Sequence, residues 1–385
     1  MRKKLATPSG ASLKSLLLLV PPLATDLFDY QLALDRIAQV PASQRDQSRL
    51  LVVDRATRRI SHTTFSELPR FLSAGDTLFR NNAAVLPARL YAHRPTGGQV
   101  ECFLLRPGQD ETTWRCLIRP ARKLPIGATF AHAEGAFSGE ILAKEPDGTA
   151  WVRFLTATKE PIARIALEFG DVPLPPYIRR ATKSSLEERG TQRRLDVDRY
   201  QTVYANASRQ VAVAAPTAGL HFTSGLLAQL ARNGIRTADI TLHVGLGTFK
   251  PIATPTIEEH PIHREIYEIS ANTQRALFPP LGGRRVAVGT TTVRTIEDFL
   301  DVHTAPGAHD HVAEAGIFIY PPRNFRGVDA LITNFHQPRS TLLCLVASFL
   351  TPGTTEGIAW IQEIYAEAIA AEYRFLSYGD AMLIL

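Results

Sequence analysis

Two histidines, His221 and His243, stand at the edges of one helix–strand unit in the middle of the chain. Each lies near small residues, such as Gly219 and Gly245, that let the backbone approach a ligand closely. Histidine titrates near neutral pH, so it can take up and release protons during catalysis. A single histidine in such a position is more often a half-buried structural residue. The pair, set in loops rich in small, polar and aromatic residues, predicts a catalytic site.

A short helix and a strand must position these histidines. Thr223 is placed to cap the helix, and Gly234 to end it in the left-handed conformation. The apolar face of the helix is formed by Leu226, Leu227, Leu230 and Ala231. In the following strand, apolar and polar residues alternate, which predicts that His243 lies opposite the apolar face.

Further along the chain, two apolar strands lead through polar turns into helices. The strand 285–289 runs into Thr290, Thr291 and Thr292, and the strand 330–334 runs into Asn334 and His336. A strand that turns through hydroxyl residues into a helix directs free N–H groups at one point, which favours a carboxylate or phosphate. Repeated strand–loop–helix units predict an α/β domain with a largely parallel sheet, with ligands at the carboxyl ends of its strands.

The composition is that of an ordinary globular protein of 385 residues, with 45% hydrophobic residues and a mean hydropathy of −0.05. This length favours two domains. Three cysteines give neither a disulfide framework nor a metal-binding pair, which predicts a cytoplasmic protein. The net charge of +6 is compatible with a nucleic-acid partner. No apolar stretch is long enough to span a bilayer, and residues 1–25 are expected to form a disordered extension.

Between residues 91 and 172 the sequence consists of short alternating stretches separated by Gly, Pro and Asp turns, which predicts an inserted small antiparallel β-barrel domain. The α/β catalytic domain would flank it at 26–90 and 173–385. Short stretches at 99–105, 113–118, 150–155 and 162–169 read as strands of the barrel domain. Arg119, Arg122 and Lys123 cluster in one loop of this domain. Such a cluster is usually a solvated surface, but it also suits contact with an RNA backbone.

Several other residues leave two interpretations open. Arg45 is either a solvated arginine or a contact for phosphate or carboxylate, and Asp380 is either a helix cap or a ligand contact. His260 and His263 stand three apart, but Pro261 disturbs the helical register that a zinc site would need, so no metal is predicted. The charged stretch 181–198 lacks periodicity and is expected to be a surface loop.

Five motifs give the chain a resemblance to one enzyme family. They are APTAGLHF (215–222), TLHVGLGTF (241–249), AVGTTTVRT (287–295), DALITNFHQPRSTLL (329–343) and YRFLSYGDAML (373–383). Their sequence and order resemble the S-adenosylmethionine:tRNA ribosyltransferase-isomerases of queuosine biosynthesis. The resemblance extends from about Phe28 to the C-terminus and is strongest after Pro173.

The resemblance implies transfer and isomerisation of the ribosyl unit of S-adenosylmethionine onto 7-aminomethyl-7-deazaguanine at the wobble position of a tRNA. The products would be epoxyqueuosine-tRNA, adenine and methionine. It also implies a monomer that acts on tRNA with a GUN anticodon and needs no cofactor. With the residue patterns, it predicts His221, His243 and Asp380 as catalytic residues. Substrate-binding positions are predicted at Arg45, Asn81, Arg89, Tyr200, Tyr204, Thr217, Phe222, Gly245, Gly247, Phe249, His263, Thr290, Thr291, Asn334 and His336.

One motif departs from the family pattern. Where the family carries Asn-Asp-Thr-Arg, this chain has Asn81, Asn82, Ala83 and Ala84, so a carboxylate and a cation are both missing. If the two formed a structural ion pair, losing both together would be nearly neutral. If they served the chemistry, the chain would be a divergent paralogue that binds S-adenosylmethionine or RNA without full activity. A noncatalytic RNA-binding module is a further alternative.

Overall fold

The computed structural model describes residues 21–180, 186–245, 250–280 and 282–385. The strands are β1 (Arg49–Asp54), β2 (Arg59–Thr64), β3 (Thr77–Asn81), β4 (Ala83–Val85), β5 (Arg89–His93), β6 (Gln99–Pro107), β7 (Thr113–Arg119), β8 (Thr129–Ala131), β9 (Phe137–Lys144), β10 (Thr149–Thr156), β11 (Asn206–Ala212), β12 (Arg236–Leu242), β13 (Glu265–Ile269), β14 (Arg285–Val288), β15 (His311–Ala315), β16 (Ala330–Asn334) and β17 (Ala381–Ile384). The α-helices are α1 (Ile162–Phe169), α2 (Leu186–Arg199), α3 (Ser224–Arg232), α4 (Ala271–Arg275), α5 (Thr290–Val302), α6 (Thr341–Leu350) and α7 (Gly357–Ala370).

The main sheet has nine strands in the order β15–β13–β12–β3–β14–β16–β17–β1–β2. Four neighbouring pairs are parallel, namely β12–β3, β3–β14, β14–β16 and β17–β1. The other four pairs are antiparallel. The sheet is therefore mixed rather than largely parallel. The difference arises because β17 runs antiparallel to β16, and because β13 and β15 at one edge and β2 at the other add antiparallel strands.

Apolar side chains cover both faces of the central strands. On β1, Leu51 and Val53 face the larger core with α5, α6 and α7, while Leu50 and Val52 face the core that includes α3. Such strands, buried on both faces, form a three-layer arrangement of helix, sheet and helix. Polar residues at the strand ends are consequently held by a rigid scaffold.

Strands β5 to β10 close a six-stranded barrel in which the described pairings are antiparallel, as predicted. It has a separate core that includes Phe103, Cys116 and Phe154. The prediction of a strand at 162–169 is wrong, because this segment is helix α1. Its Ile162, Ile165 and Ala166 are buried at the helical spacing of three and four residues. The predicted domain limits at 90/91 and 172/173 stay predictions.

Helix α3 begins and ends where the sequence predicts. The Thr223 side chain accepts a hydrogen bond from the Leu226 amide at 3.0 Å, and Gly234 has a φ of 81°. The predicted loop at 181–198 is wrong over residues 186–198, which belong to helix α2. Arg193 of this helix donates to carbonyl groups of Leu167, Glu168 and Gly170 at the end of α1. Side-chain contacts of this kind stabilise a helix that has little apolar periodicity.

The segment before β1 packs against the main domain. Leu23 is buried and its amide donates to the Glu258 carboxylate, and the Thr25 hydroxyl donates to the Thr254 carbonyl. Residues 1–20 of the predicted extension lie outside the described residues. Across the described ranges, no helix combines the length and apolar character that crossing a bilayer requires.

Candidate functional site

A cavity that is open to solvent lies where chain segments leave two strands of the main sheet and strand β11, which pairs with β4 in a separate two-stranded sheet. The segments follow β11, β14 and β16, so the cavity lies where strand ends meet loops and helix starts. We call it the strand-end cavity. It is lined by Tyr177, Ala214, Ala215, Pro216, Thr217, Ala218, Val244, Gly289, Thr290, Thr291, Thr333, Asn334, Phe335, His336, Gln337, Ser340, Leu342, Leu376 and Ser377. The structure thus brings together Thr217, Thr290, Thr291, Asn334 and His336 among the predicted site residues.

The amino terminus of α5 opens onto this cavity. Gly289, at the N-cap, has φ 90° and ψ 152°, a conformation that only glycine adopts readily. Having no side chain, it leaves the first turn of the helix uncapped. The Thr291 Oγ1 atom is buried and has no hydrogen-bond partner among the described residues. Free N–H groups, the helix dipole and this hydroxyl together suit an anion.

His336 is the histidine that lines the strand-end cavity. Its Nε2 lies 2.9 Å from Thr333 Oγ1, and its backbone amide donates to the Tyr365 hydroxyl at 2.9 Å. Its Nδ1 has no hydrogen-bond partner within the described ranges. Burial disfavours the charged imidazolium and lowers the pKa of His336 to about 3. The ring is therefore neutral at pH 7.

His221 lies behind the cavity wall and outside its lining. Its Nδ1 is 2.7 Å from Ser48 Oγ, and its Nε2 is 3.1 Å from Asn334 Nδ2. The ring stacks on Phe65, with 5.1 Å between centroids. Burial, and then the nearby Arg374 and Arg45, lower the pKa of His221 to about 3. Both ring nitrogens are occupied, so His221 reaches the cavity only through Asn334.

His243 lies outside the lining of the strand-end cavity. Its Nε2 lies 3.4 Å from the Glu268 carboxylate, which lines a separate polar groove on the sheet. Other polar residues of this groove include Asn82, Asn206, Asp239 and Thr241. Two carboxylates of the groove are already paired, Asp239 with Arg80 at 2.6 Å and Glu268 with His243 at 3.4 Å. The predicted residues Thr217, Thr290 and His336 line the strand-end cavity instead, so we take that cavity as the candidate site.

A buried charged network supports the cavity from behind. The Glu265 carboxylate contacts Arg294 Nη1 at 2.5 Å, His263 Nε2 at 3.2 Å and the Gly245 amide at 2.9 Å. Burial disfavours the charged carboxylate, but His263, Arg294 and the Gly245 amide outweigh it and lower the pKa of Glu265. Because Arg294 belongs to α5, this network fixes that helix against β13. The predicted residues His263 and Gly245 thus contact the network that supports α5.

Asp380 and Arg45 hold loops together. Asp380 is buried and accepts hydrogen bonds from the amides of Arg49 and Arg374 at 3.0 and 2.8 Å. Arg45 donates to the carbonyl groups of Leu220 and Asp198 at 3.2 and 2.8 Å. Both lie outside the cavity lining formed by the described residues. Asp380 thus holds the turn before β17 and is not a helix cap, because a strand rather than a helix follows it.

The predicted aromatic residues pack in the core. Phe222 contacts Phe65, and Tyr204 lies beneath Arg80, whose guanidinium carbon is 4.4 Å from the ring centroid. Tyr200 is fully buried beside Tyr378. None of the three belongs to the described lining of the strand-end cavity. The aromatic rings on that lining are Tyr177 and Phe335.

The divergent motif lies beside the polar groove. Asn81 accepts from the amides of Ala83 and Leu242, and Asn82 accepts a 2.7 Å hydrogen bond from the Thr241 hydroxyl. Ala83 and Ala84 are almost fully buried. An aspartate at position 82 would accept the same bond, so that substitution leaves the local contact intact. Arg89 is on the barrel, 3.9 Å from Glu101. Gly247 and Phe249 lie outside the described residues.

Tyr177, Leu376 and Ser377 line the cavity but were not predicted. Tyr177 donates to or accepts from Ser377 at 2.7 Å, and Leu376 has a φ of 70°, which a leucine rarely adopts. The proline-rich segment before Tyr177 and the aromatic segment around Ser377 were visible signals in the sequence. Among the described residues, no group of three or more His, Cys, Asp or Glu side chains is arranged to hold a metal ion.

A mixed α/β sheet with a closed barrel, and a cavity at an open helix terminus, define a ligand-binding α/β protein. The family model described as "Queuosine biosynthesis protein" matches residues 25–384, and the chain belongs to this family. An S-adenosylmethionine:tRNA ribosyltransferase-isomerase from Thermotoga petrophila is 43% identical over 93% of this chain and 98% of its own. One from Trichlorobacter lovleyi is 42% identical over the same shares. The crystal structure of an S-adenosylmethionine tRNA ribosyltransferase from Thermotoga maritima is 36% identical, covers 93% of this chain and 100% of its own, and gives a TM-score of 0.50.

Proposed function

We propose that this protein transfers and isomerises the ribosyl moiety of S-adenosylmethionine onto 7-aminomethyl-7-deazaguanine at the wobble position of a tRNA. The products are epoxyqueuosine-tRNA, adenine and methionine. Family membership over residues 25–384 is the observation that carries this proposal. The names of the relatives identify the donor and the tRNA acceptor. The GUN anticodon, the monomeric state, the cytoplasmic location and the lack of a further cofactor are proposed from the family resemblance alone.

The strand-end cavity is the proposed donor site. The methionyl carboxylate would lie at the amino terminus of α5, where Thr290 and Thr291 offer N–H groups and hydroxyls. The sulfonium would lie against the ring of Tyr177 or Phe335, since aromatic faces attract cations.

We assign the proton transfers to His336. The sulfonium acidifies the ribose C5′ protons, and neutral His336 has a ring nitrogen with which to accept one. The imidazolium so formed carries the abstracted proton. It can therefore return the proton to the departing adenine. His221 and His243 remain predictions as catalytic residues, and their positions support indirect roles.

Product analysis tests this function. The protein would be incubated with S-adenosylmethionine and an anticodon stem-loop that carries 7-aminomethyl-7-deazaguanine, and the digest examined by mass spectrometry. We expect the epoxyqueuosine nucleoside and free adenine in equal amounts. A folded protein that binds the donor but forms neither product would instead be a divergent paralogue. The Asn82→Asp variant, alone and with Ala84→Arg, would then show whether the divergent motif is the cause.

Variants of the histidines separate their roles. We expect His336→Gln to lower kcat by about 100-fold or more, the usual contribution of a general acid–base group. His309→Gln is the matched control, because it changes an exposed histidine in the loop before β15. We expect it to stay within a few-fold of the wild type. A His336→Gln variant with wild-type kcat would refute the assignment.

A further inference from the structure

A continuous row of hydrogen bonds leads from the buried Ser48 to the strand-end cavity. Ser48 Oγ lies 2.7 Å from His221 Nδ1, and His221 Nε2 lies 3.1 Å from Asn334 Nδ2. Thr217 Oγ1 donates to Asn334 Oδ1 at 2.9 Å. Ser48, His221 and Asn334 are each at least 96% buried, whereas Thr217 is half-buried and lines the cavity. The orientation of the Ser48 hydroxyl is therefore transmitted to a hydroxyl that a ligand can touch.

The direction of this row is fixed at its buried end. The Ser48 hydroxyl donates to the Arg45 carbonyl at 3.2 Å, so its oxygen accepts from His221 Nδ1–H. His221 Nε2 then carries the lone pair and accepts from the Asn334 amide. Asn334 Oδ1 is left to accept from Thr217. The Thr217 hydroxyl proton is thus used in the hydrogen bond to Asn334 Oδ1. Toward the cavity, this hydroxyl can therefore only accept a hydrogen bond.

The acceptor lies beside the proposed carboxylate site. A Cβ atom on Gly289 would be 3.6 Å from the Cβ of Ala218, the residue that follows Thr217. The Thr217 hydroxyl, as an acceptor, favours a cationic donor group, and the amino terminus of α5 beside it favours an anion. These two positions match the ammonium and carboxylate groups of an α-amino acid.

We propose that Thr217 binds the α-ammonium group of the methionyl end of S-adenosylmethionine, and that Ser48 and His221 are positioning residues that make Thr217 an acceptor. This inference rests on the proposed function, since it names the donor's orientation in the same cavity. It gives Ser48 a role in donor recognition although Ser48 lies outside the described cavity lining. It also explains why a neutral, doubly hydrogen-bonded histidine stands behind Asn334.

Two analogues of the donor test the assignment by equilibrium binding. One lacks the α-ammonium group, and the other lacks the carboxylate. For the wild type we expect each loss to weaken binding about 10-fold or more, as for hydrogen bonds to charged groups. In Thr217→Val, the preference for the ammonium group should fall to about one, because the acceptor oxygen is gone, while the preference for the carboxylate persists. Thr217→Ser keeps the hydroxyl and should keep both preferences.

Ser48→Ala tests the positioning role. Without its acceptor, His221 Nδ1–H is no longer favoured, and the ring can take the tautomer protonated on Nε2. Asn334 would then turn its amide, and the Thr217 hydroxyl would donate into the cavity. We expect ¹⁵N chemical shifts of His221 to report the Nδ1–H tautomer in the wild type and a change in Ser48→Ala, with loss of the ammonium preference. Ser48→Thr should restore both.

The outcomes separate this inference from the proposed function. Equal affinity of the wild type for the intact and the deaminated donor would overturn the inference, as would an undiminished ammonium preference in Thr217→Val. If the same wild-type protein still forms epoxyqueuosine in the stem-loop, the proposed function stands. A wild type that binds none of the three compounds and forms no product would overturn both.

Discussion

At the scale of single residues, the surroundings decide what each histidine can do. His336 and His221 are both buried and both have a pKa of about 3, yet one lines the cavity and the other lies behind Asn334. The lowered pKa values keep both rings neutral at pH 7, so one can accept a proton while the other holds a fixed tautomer. Position, rather than residue type, separates the proposed catalytic histidine from the proposed positioning histidine.

The depressed pKa of His221 makes folding stability depend on pH in a definite direction. In the unfolded chain its pKa is about 6.5, so below that pH the unfolded state takes up a proton that the folded state refuses. The stabilising contribution of buried, neutral His221 to the free energy of unfolding is thus present above pH 6.5 and is lost as the pH falls toward 3. At pH 5.5 the loss is on the order of 1 kcal/mol. We expect the difference in unfolding free energy between the wild type and His221→Gln to shrink by this amount between pH 7.5 and 5.5 in urea titrations.

Carboxylates also titrate between pH 7.5 and 5.5, but they do so in the wild type and in His221→Gln alike. Their effect on the free energy of unfolding therefore cancels in the difference between the two. A difference between wild type and variant that stays constant over the range would contradict the buried, neutral state of His221.

At the scale of elements, the start of α5 is the part of the scaffold on which the donor site depends. We expect Gly289→Ala to destabilise the protein by about 1–3 kcal/mol, because alanine disfavours a φ of 90° with a ψ of 152°. Displacement of the first helical turn should also weaken donor binding about 10-fold. Thermal unfolding and donor titration would measure the two effects.

Gly148→Ala is the matched control for this change. Gly148 also has a positive φ, 85°, and an added Cβ would meet nothing within 4 Å, but it lies in a turn of the barrel. We expect it to lose stability without any change in donor affinity. Equal donor affinity in both variants would argue against the anion site at α5.

The buried pair of Glu265 and Arg294 fixes α5 against β13. We expect Glu265→Gln to destabilise the protein by about 3–5 kcal/mol, since it leaves Arg294 charged and buried without a carboxylate. Glu314→Gln breaks an exposed pair with Arg264 at 3.9 Å and should cost less than about 1 kcal/mol. Chemical denaturation of both variants would measure the contrast, and similar losses would show that the buried pair is not structural.

Elements with strong local signals were predictable from the sequence, and those held by distant contacts were not. Thr223 and Gly234 mark the ends of α3 because caps are local. Helix α2 was missed because contacts such as that of Arg180 with Asp196 hold it in place. The grouping of Thr290, Asn334 and His336 in one cavity could be predicted because each lies at the carboxyl end of a strand, whereas Thr217 was predicted only from the family resemblance. That His243 pairs with Glu268 depends on the β12–β13 register, which no local pattern reveals.

At the scale of the whole molecule, the direction of the strands in the mixed sheet could not be predicted from local sequence patterns either. The C-terminal strand β17 pairs with β1 and β16, two strands that are far from each other along the chain. Local hydrophobic patterns report that β17 is a buried strand, but they carry no information on its direction. The closed barrel was predictable because its strands mostly pair with neighbours in sequence, across short turns.

The charge of the molecule, +6, and the basic loop of the barrel suggest how a tRNA would approach. Arg122 and Lys123 are exposed in the loop after β7. If they bind phosphates, Arg122→Gln/Lys123→Gln should reduce the slope of log affinity against log salt by about 0.9 for each phosphate that is no longer neutralised. Filter binding of the anticodon stem-loop at several salt concentrations would measure the slope. Arg264→Gln, which changes an exposed arginine just before β13, is the control, and an equal change in both variants would contradict binding through the barrel.

The central claim is that the strand-end cavity holds the donor, and the most direct measurement is a crystal structure of the protein with S-adenosylmethionine. We predict density for the donor in this cavity, with its carboxylate at the Gly289–Thr291 turn and its ammonium group beside Thr217. Density for the donor in the polar groove beside Asn82, with the strand-end cavity empty, would show that the strand-end cavity is not the donor site.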